Sequence, residues 1–498
     1  MNKIKNIRIL STTTKISLTT VQLLQRFRSS ATSLLLLGFI FSFTGCSHPV
    51  KEKKTAFCKP LDYGTHVSDP SQTRALLWAG SSSLAEQSVR FILKSSSKTN
   101  RKKITTTWKK VKSDGILTQE VHSLSPNEVY TYELQQKNCR PYKSSNHFGS
   151  FKTLPDSTYK GSVQFAIFSD LGGQEHCRKK NQGYPFNVFF EKKYDFIIGA
   201  GDLIYADNDC TEDQGNISLG IKKAGTEIEF RKNYFYQLED SSFQKALSKN
   251  SIFAIWDDHE VEDNFDSSNS LMTIGRKVFL EIFPTQADRE NKGQLYRSHS
   301  LGKNADLWIL DTRQYRSSNT MIDSSQKTML GKNQLEWLIN GLSQSKATWK
   351  LILSSVPLSI PTGPPTAHDG WANGFDSHFL SPSTHITGFE KEFFKIRKQI
   401  IKNKIKNIIF LTADAHRGMA IKYLYHRKPL FYEWMTGAFS AAPIQSEVTD
   451  PSLNPTVLFH EGKVHMFTQV KITEKTATAQ WIDTKGNALF TQEIKSQK

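Results

Sequence analysis

The sequence predicts an α/β layered domain preceded by a small all-β sandwich, and three observations lead to this fold class. Between Pro60 and Pro155, short runs of alternating apolar residues are separated by turn residues at regular intervals, which is typical of an antiparallel sandwich. From Ser162 onward, apolar strands alternate with helical stretches, as in sheets covered by helices. Several of those strands end in acidic residues, at the position where such sheets usually bind ligands.

The length and composition are those of a folded protein with two or three domains. The chain has 498 residues, of which 38% are hydrophobic and 22% are charged, which excludes wholesale disorder, collagen and a multi-spanning membrane protein. The formal net charge is +18, and six of these charges lie in residues 1–45. The remaining positive charge indicates either a lysine-rich solvated surface or attraction to anionic substrates or an anionic envelope. No nucleic-acid-binding motif accompanies it.

Residues 1–45 have the features of an export signal, and residues 46–59 those of a polar tether. A basic stretch without acids precedes the apolar run Ser33–Thr44, which is too short to span a bilayer comfortably and is typical of a signal-peptide core. Small residues precede Cys46, which resembles a bacterial lipoprotein signal. We therefore expect an exported protein of the bacterial periplasm or cell envelope, with a lipid anchor on Cys46. An uncleaved N-terminal anchor is the alternative.

The remaining four cysteines suit an exported protein, because disulfides persist outside the cytoplasm. They are Cys58, Cys139, Cys177 and Cys210, and the sequence allows three pairings. The first two bracket the front segment and the last two bracket the first acidic motifs, so we favour the pairs 58–139 and 177–210.

The predicted front domain, residues 60–157, contains candidate strands but no titratable cluster. Its apolar alternations are Arg74–Ala79, Ser88–Leu93, Ile104–Trp108, Ile116–Val121 and Glu128–Leu134. Leu124–Tyr132, followed by Gly149–Pro155, resembles the end of a fibronectin-III-like domain. We expect this domain to pack against or shield the one that follows.

The predicted second domain, residues 158–498, contains the strands that end in polar segments. Its candidate strands are Val163–Phe168, Phe196–Ala200, Ile252–Trp256, Leu307–Leu310, Lys350–Ser354 and Ile408–Thr412. Helical stretches such as Gln334–Ser343 and Glu390–Lys404 lie between several of them. Strand-like segments from Phe431 onward are expected to close the second sheet.

Four segments that follow apolar strands carry acids or histidines. They are Phe168–Gly173, Gly199–Asp207, Trp256–Asn264 and Leu411–Gly418. A single acid after a strand is usually a helix cap or a turn residue. Four such segments, with Gly-Asp-x-x-Tyr and Asp-His-Glu among them, are hard to explain as caps, so we expect their side chains to converge on one pocket.

The order and content of these segments resemble the calcineurin-like metallophosphoesterase superfamily and, within it, the PhoD-like (alkaline phosphatase D) family. Trp256–Val261 is the most specific element, and Leu310–Arg316 and Met329–Leu338 support it. Gly201–Asp207 is also similar to purple acid phosphatases. The resemblance covers about residues 61–492 and implies a four-layer α/β/β/α metallophosphoesterase domain.

The resemblance implies a site for two metal ions. The ligand set that it implies for the first ion is Asp170, Asp202, Tyr205 and His416. For the second ion it is Asp202 as a shared bridge, Asp258 and Asp414. Phenolate, carboxylate and imidazole ligands suit Fe(III), and the nearly all-oxygen second set favours Ca²⁺, Mn²⁺ or Mg²⁺. A buried core aromatic is the alternative reading of Tyr205.

Two features depart from the PhoD-like pattern. Members often have Cys where this chain has Asp170, which is instead the residue of purple acid phosphatases. Ser354–Leu358 lacks the His that many relatives use for the second ion, and Asp414 stands where they often have another His.

His259 resembles the catalytic histidine of the family. In that role it would protonate the leaving oxygen or stabilise phosphoryl charge, whereas an isolated histidine would more often be a packed core residue. Weaker candidates for contacts around the ligands or with phosphate are Asp257, Glu260, Arg313, Arg417 and His368.

The expected function is hydrolysis of small phosphate monoesters or diesters by a metal-activated water. One alternative is an acid phosphatase like the purple enzymes. Another is a catalytically silent binding protein of the cell envelope. The retention of every proposed ligand argues against this alternative.

Overall fold

The computed structural model of the protein describes residues 56–497 apart from 98–101, 142–144, 181, 185–186, 188, 190–191, 213–214, 377–380 and 383–385. The export signal, Cys46 and most of the tether lie outside the described residues, so the predictions about them stay predictions. Within the described part, no helix combines the length and the apolar character needed to cross a membrane.

Strands make up most of the regular structure. The strands of the front segment are β1 (Gly64–Ser68), β2 (Ala75–Gly80), β3 (Ser88–Ser95), β4 (Lys103–Thr105), β5 (Lys109–Lys110), β6 (Ile116–Val121), β7 (Val129–Gln136) and β8 (Phe148–Lys152). The following strands are β9 (Val163–Phe168), β10 (Phe196–Ala200), β11 (Ser251–Ile255), β12 (Arg297–Ser300), β13 (Ala305–Ile309), β14 (Trp349–Leu353), β15 (Phe375–Asp376) and β16 (Ser381–Pro382). The last ones are β17 (Ile408–Thr412), β18 (Gly418–Tyr425), β19 (Lys428–Met435), β20 (Pro455–Glu461), β21 (Met466–Ile472), β22 (Thr476–Asp483) and β23 (Ala488–Lys495).

Helices connect the strands of the second half. They are α1 (Glu227–Leu238), α2 (Ser241–Lys249), α3 (Met272–Ile282), α4 (Gln286–Glu290), α5 (Gly331–Gln344) and α6 (Glu390–Lys402). Helix α1 begins at a capping box, in which the Thr226 side chain and the Glu229 side chain each accept from the backbone N–H of the other residue. This reciprocal pair satisfies two of the N–H groups that a helix start leaves without an internal partner.

The largest sheet has nine strands in the order β23-β22-β21-β9-β10-β11-β1-β2-β6. Strands β9, β10 and β11 are parallel, and β1 continues the sheet because Val67 and Ser68 pair in parallel with Ser251 and Ile252. Strands of the front segment therefore extend the main sheet, and this pairing covers an edge that would otherwise be exposed. A fibronectin-III-like sandwich over residues 60–157 stays a prediction.

The second sheet has seven strands in the order β12-β13-β14-β17-β19-β18-β20. The expectation that the strands after Phe431 all close this sheet was wrong in part. Strands β19 and β20 do join it, but β21, β22 and β23 join the nine-stranded sheet, where β21 pairs antiparallel with β9. Both kinds of pairing use the same alternating pattern, so periodicity alone could not distinguish them.

Alternate residues of the second sheet belong to two different apolar clusters. In β14, Leu351 and Leu353 belong to a cluster that includes Phe165 and Ile197 of the first sheet. The residue between them, Ile352, belongs to a cluster with residues of α5 and α6. Since side chains alternate across a strand, one face of this sheet shares its core with the first sheet and the other face is covered by helices.

The front segment has an apolar cluster of its own, which includes Leu77, Phe91, Tyr130 and Phe151. Strands β3, β4, β5, β7 and β8 form its separate sheet. The structure contains the disulfides Cys58–Cys139 and Cys177–Cys210, which confirms the favoured pairing. The first disulfide closes the front segment, and the second lies beside the first acidic motifs.

Candidate metal centre

The four predicted segments lie at the carboxyl ends of strands that meet between the two large sheets. Asp170, Asp202 and Asp258 follow the parallel strands β9, β10 and β11, and His416 follows β17 of the second sheet. The sheets are tied together there, because Phe439 donates its backbone N–H to the Ser169 carbonyl at 3.0 Å. The carboxyl ends of parallel strands are where α/β sheets bind ligands.

Four of the predicted ligands have a left-handed backbone. The φ angles are 53° at Asp170, 51° at Asp202, 69° at Asp414 and 54° at His416. Non-glycine residues rarely adopt this conformation, which costs of order 1–3 kcal/mol per residue. Such strain is retained where the surrounding structure fixes it, and it clusters at functional sites.

Five of the six predicted ligands form three overlapping groups together with His259 and Asp257, for which the sequence predicts other roles. In each group, one ligand atom per residue lies within 4.8 Å of the others, and the groups are Asp170–Asp202–His416, Asp202–Asp258–His259 and Asp257–Asp258–Asp414. Asp202 belongs to the first two groups and Asp258 to the last two. Acidic and histidine side chains in this arrangement could bind more than one metal ion.

Tyr205 contacts His416, a member of the first group. The Tyr205 hydroxyl lies 3.1 Å from His416 Nε2, and His416 Nδ1 lies 2.7 Å from the Ala442 carbonyl oxygen. A carbonyl can only accept, so Nδ1 carries the proton and Nε2 is left with its lone pair for a metal ion. Gly173 packs against the Tyr205 ring so closely that a Cβ there would lie 2.2 Å from the ring carbon Cγ.

The chemistry of the group fits a bound cation. Burial, and then the charges of Asp258 and Asp257, raise the pKa of Asp202 well above its ordinary value. Burial and the neighbouring carboxylates raise the pKa of Tyr205 in the same way. Among the described residues, Asp414 Oδ2 and Asp257 Oδ2 are buried without a hydrogen-bond partner. Metal ions would supply the missing partners and reverse these pKa shifts, and oxygen-rich ligands favour hard ions.

His259 is held from two sides. Its Nδ1 lies 2.9 Å from Asp207 Oδ1, and its ring stacks on Tyr205 with the centroids 4.2 Å apart. Burial lowers the pKa of His259, but Asp258 and the hydrogen bond to Asp207 outweigh burial and raise the pKa to about 10. The hydrogen bond occupies Nδ1, so Nε2 is the ring nitrogen that can exchange a proton with another group.

Glu260 holds the backbone of two ligand turns. Its carboxylate accepts from the N–H groups of Asp202, Leu203 and Asp257 at 3.1, 2.8 and 2.8 Å. It therefore connects the turn after β10 to the turn after β11, which carry Asp202 and Asp258. These contacts place the Glu260 carboxylate beside Asp202 and Asp257, and its predicted role stays a prediction.

Arg313 is the centre of a buried ionic network next to the second and third groups. Its Nε donates to Asp257 at 2.6 Å, and its two terminal nitrogens donate to Asp369 at 2.7 and 2.6 Å. Arg313 also lies 3.7 Å from Asp258, and Arg316 donates to the same Asp369 at 2.6 Å. Burial raises the pKa of Asp258, but Arg313 and His259 outweigh burial and lower it, so this carboxylate stays ionised.

The segment that lacks the expected histidine contributes a hydroxyl instead. Ser355 donates to Asp257 Oδ1 at 2.6 Å, and its Oγ lies 2.5 Å from the hydroxyl of Thr312. The segment therefore fixes an acid of the third group rather than offering an imidazole.

The two remaining weak candidates contact the protein backbone or a hydroxyl. Arg417 donates through Nε to the Ala415 carbonyl at 2.9 Å and through another nitrogen to Ser446. His368 Nδ1 lies 2.8 Å from the hydroxyl of Thr387. Their roles in phosphate binding stay predictions.

Two acids of the centre were not singled out from the sequence. Asp207 was visible as the last residue of Gly199–Asp207, two positions after Tyr205, but its contact with His259 depends on how two separate turns meet. Asp369 follows His368 in a loop, and nothing in the neighbouring sequence indicated that it would lie in the centre. Its partner Arg313 is 56 positions earlier in the chain.

Comparisons with known proteins agree with this geometry. The family model of the PhoD-like phosphatases matches residues 172–491. Alkaline phosphatase D of Bacillus subtilis (strain 168) is 24% identical over 333 residues, which cover 60% of this chain and 53% of that protein. The chain thus spans about half the length of this curated relative.

Two solved structures show the same fold. A structure of PhoD matches with a TM-score of 0.70 and 20% identity, covering 88% of this chain and 93% of the other. The purple acid phosphatase PPD1 from yellow lupin (Lupinus luteus) seeds matches with a TM-score of 0.55 and 13% identity, covering 87% of this chain and 74% of the other. The predicted mixed α/β fold with several sheets is confirmed.

Proposed function

The chain belongs to the PhoD-like phosphatase family, and from that premise we propose that it hydrolyses phosphate esters with a metal-activated water. The observation that carries this proposal is the overlap of the three ligand groups, which share Asp202 and Asp258. Carboxylates that belong to two ligand groups would hold two metal ions a few Å apart. That is the spacing at which two-metal hydrolases act on one phosphoryl group.

Two metal ions are proposed, with the ligands that the family resemblance implies. Asp170, Asp202, Tyr205 and His416 would hold an Fe(III), for which a phenolate beside carboxylates is well suited. Asp202, Asp258 and Asp414 would hold a divalent ion, with Ca²⁺, Mn²⁺ and Mg²⁺ as the candidates for a set made of oxygen. When bound, the ions would polarise the phosphoryl oxygens and activate the attacking water.

His259 is proposed as the catalytic proton donor. The water oxygen forms a bond to phosphorus as the bond from phosphorus to the ester oxygen breaks, and the leaving oxygen takes the proton from His259 Nε2. The proton that the attacking water loses passes to solvent, from which His259 is protonated again. Asp207 holds the imidazole through Nδ1 and so sets the direction in which Nε2 points. Stacking on Tyr205 restricts the rotation of the same ring.

Arg313 and Glu260 are proposed as positioning residues. Arg313 donates a hydrogen bond to Asp257 and lies beside Asp258. Its positive charge therefore offsets the electrostatic repulsion between these two carboxylates before an ion binds. Glu260 connects the turns of Asp202 and Asp258 through backbone N–H groups.

A purple-acid-phosphatase-like activity with an acidic optimum is the second candidate. The contact between Tyr205 and His416 favours it, because Tyr205 lies in the segment Gly201–Asp207, which also resembles purple acid phosphatases. A catalytically silent binding protein is disfavoured by the retention of the predicted ligands together with His259 and Asp207.

The layers of the fold are proposed as α/β/β/α over residues 158–498. The second sheet supports this arrangement, because its two faces belong to different apolar clusters. Helices α1 and α2 support it as well, because Phe230 and Phe243 belong to the cluster that the two sheets share. A fibronectin-III-like front domain over residues 60–157 is supported by its separate apolar cluster.

Export to the periplasm or cell envelope, with lipid attachment at Cys46, is proposed from the leader. Two disulfides support it, because such bonds persist in oxidising compartments. Cys46→Ala should release the protein from the membrane fraction or block its processing. Unchanged membrane association together with unchanged molecular mass would contradict lipid attachment.

The phosphatase proposal is tested by metal analysis of the purified protein together with a panel of phosphate monoesters and diesters. We expect bound metal and hydrolysis that is lost after chelation and restored when metal is returned. A protein that carries two metals and hydrolyses no member of a broad panel would contradict the proposal.

A further inference from the structure

A cavity of about 320 Å³ lies next to the metal centre, and the proposed mechanism does not use it. His176, Lys179, Ser440 and His465 are among the residues that line it. The disulfide Cys177–Cys210 anchors the loop that carries the first two of these side chains.

The cavity and the metal centre share a wall. Ser440 and Ala441 donate their backbone N–H groups to the Asp170 carbonyl at 3.2 and 2.9 Å. His465 Nε2 lies 2.9 Å from the Ala441 carbonyl, and the next residue, Ala442, accepts from His416. One short segment therefore contacts a predicted ligand on one side and lines the cavity on the other.

The lining is cationic and rich in hydrogen-bonding groups. None of the described residues that line the cavity is an acid. Arg178 is engaged by Glu239 at 2.9 Å, whereas Lys179 is exposed and forms no ion pair with a described residue. Lys179 is therefore the cation that remains available to a ligand.

The neutral groups of the lining complement that charge. The rings of His176 and His465 are 5.3 Å apart and nearly perpendicular. Within the described part of the chain, the buried Ser440 hydroxyl has no hydrogen-bond partner. The His465 Nε2–H already donates to the Ala441 carbonyl, so Lys179 supplies the charge, and the His176 imidazole and the Ser440 hydroxyl supply the donors, for the oxygens of a phosphate group.

We propose that this cavity binds a second phosphate group of the substrate, so that the preferred substrates are phosphate esters whose alcohol part is itself phosphorylated. The inference rests on the proposed phosphatase function, because the first phosphoryl group is placed at the metal centre. It adds a substrate class to that function and names Lys179 and His176 as specificity-determining residues.

The test compares the monophosphate and the bisphosphate of propane-1,3-diol at saturating metal. The readout is the ratio of their kcat/KM values per scissile group, which cancels effects common to both substrates. We expect a ratio of about ten in the unaltered protein, falling to about two in Lys179→Gln, the scale of one favourable charge contact at a partly solvated site. His176→Ala should lower the ratio in the same direction.

Lys180→Gln is the matched control, because Lys180 is also exposed and is adjacent in sequence but is not among the residues that line the cavity. Its ratio should stay near that of the unaltered protein. A ratio near one in the unaltered protein, or an equal fall in both lysine variants, would overturn the inference while leaving the phosphatase function intact.

Calorimetric binding separates this inference from the function that it rests on. Propane-1,3-bisphosphonate, which cannot be hydrolysed, should bind several-fold more tightly than propylphosphonate, and Lys179→Gln should remove that difference. If neither ester is hydrolysed but this difference in binding is found, the phosphatase function is overturned and the anion site stands. Equal binding of the two phosphonates overturns the site.

Discussion

The imidazole of His259 and the carboxylate of Asp207 are joined by a hydrogen bond of 2.9 Å between Nδ1 and Oδ1. This bond connects the second acidic motif to the third, because Asp207 follows β10 and His259 follows β11. It uses Nδ1 and leaves Nε2, which lies 4.0 Å from Asp263 Oδ1, as the ring nitrogen that can exchange a proton. Asp207 is therefore a positioning residue for the proposed proton donor.

Replacing Asp207 should lower turnover without emptying the metal centre. An asparagine can still accept from Nδ1 but carries no charge, whereas an alanine removes both the acceptor and the charge. We expect kcat to fall about tenfold in Asp207→Asn and about a hundredfold in Asp207→Ala, the range seen for residues that orient a functional histidine. Kinetics and metal analysis of the same preparations give both quantities.

Asp263→Asn is the control for this pair. Asp263 lies 4.0 Å from the other ring nitrogen of His259 and its side chain is 66% exposed, so its loss should have a smaller effect on kcat. An effect of Asp263→Asn as large as that of Asp207→Ala would show that bulk negative charge, and not the oriented hydrogen bond, matters.

Tyr205 should determine the colour of the purified protein. A phenolate bound to Fe(III) absorbs in the visible by charge transfer, so we expect a coloured protein that Tyr205→Phe bleaches. Tyr194→Phe, which alters a buried tyrosine near Gln469, should leave the colour unchanged. A colourless, iron-free and fully active protein would exclude the phenolate ligand and leave a site with two divalent ions.

Arg313 and Asp369 should be coupled in stability. Arg313→Met leaves the buried Asp257 without a guanidinium partner and Asp369 with Arg316 alone, and breaking a buried ion pair typically costs about 3–5 kcal/mol. Asp369→Asn leaves Arg313 with less charge compensation. The double variant should lose less than the sum of the two, because neither partner is then stranded. Chemical unfolding of all four proteins measures this, and strictly additive losses would contradict the coupling.

Much of the metal centre could be predicted because its residues lie directly after apolar strands. The strand pattern and the rule that such ends meet predicted that Asp170, Asp202 and Asp258 converge, whereas their assignment as metal ligands came from the family resemblance. Asp369 could not be predicted in this way, because its contact with Arg313 is made by a loop whose path the local pattern does not specify. The same limit applies to Asp207, whose partner lies in another turn.

The fold shows the same division between local and long-range information. The continuous apolar run Leu351–Leu353 is visible in the sequence and is typical of a strand whose two faces are both covered. The parallel pairing of β1 with β11 was not visible, because the pattern within one strand does not indicate its partner in a distant segment. The expectation that β21 would close the second sheet was wrong for the same reason, because β21 joins the first sheet.

His66 should make the free energy of unfolding depend on pH. Burial lowers the pKa of His66 to about 3, although the Ile282 carbonyl accepts a hydrogen bond from Nε2 at 3.0 Å. The unfolded chain takes up this proton below its ordinary pKa of 6.5, while the folded protein does not. The residue should therefore reduce stability as the pH falls from 6.5 toward 3, by up to about 1.4 kcal/mol per pH unit.

The measurement is denaturant unfolding between pH 7 and pH 4.5. His66→Gln should lose stability less steeply over this range than the unaltered protein. His122→Gln, which alters a histidine whose side chain is 61% exposed, should follow the unaltered protein. Parallel curves for His66→Gln and the unaltered protein would show that His66 does not titrate differently on unfolding.

The central claim is that catalysis and metal binding are carried by different residues of one centre. It is tested most directly by measuring metal content and kcat together in His259→Ala, Asp202→Ala and Asp414→Ala. We predict that His259→Ala lowers kcat roughly 10²–10⁴-fold with its metal nearly intact, the range for a positioned acid–base group. Asp202→Ala should empty the centre, and Asp414→Ala should regain part of its activity with added Ca²⁺ or Mn²⁺. If His259→Ala lost the metals while Asp202→Ala kept them, the assigned roles would be reversed and the account contradicted.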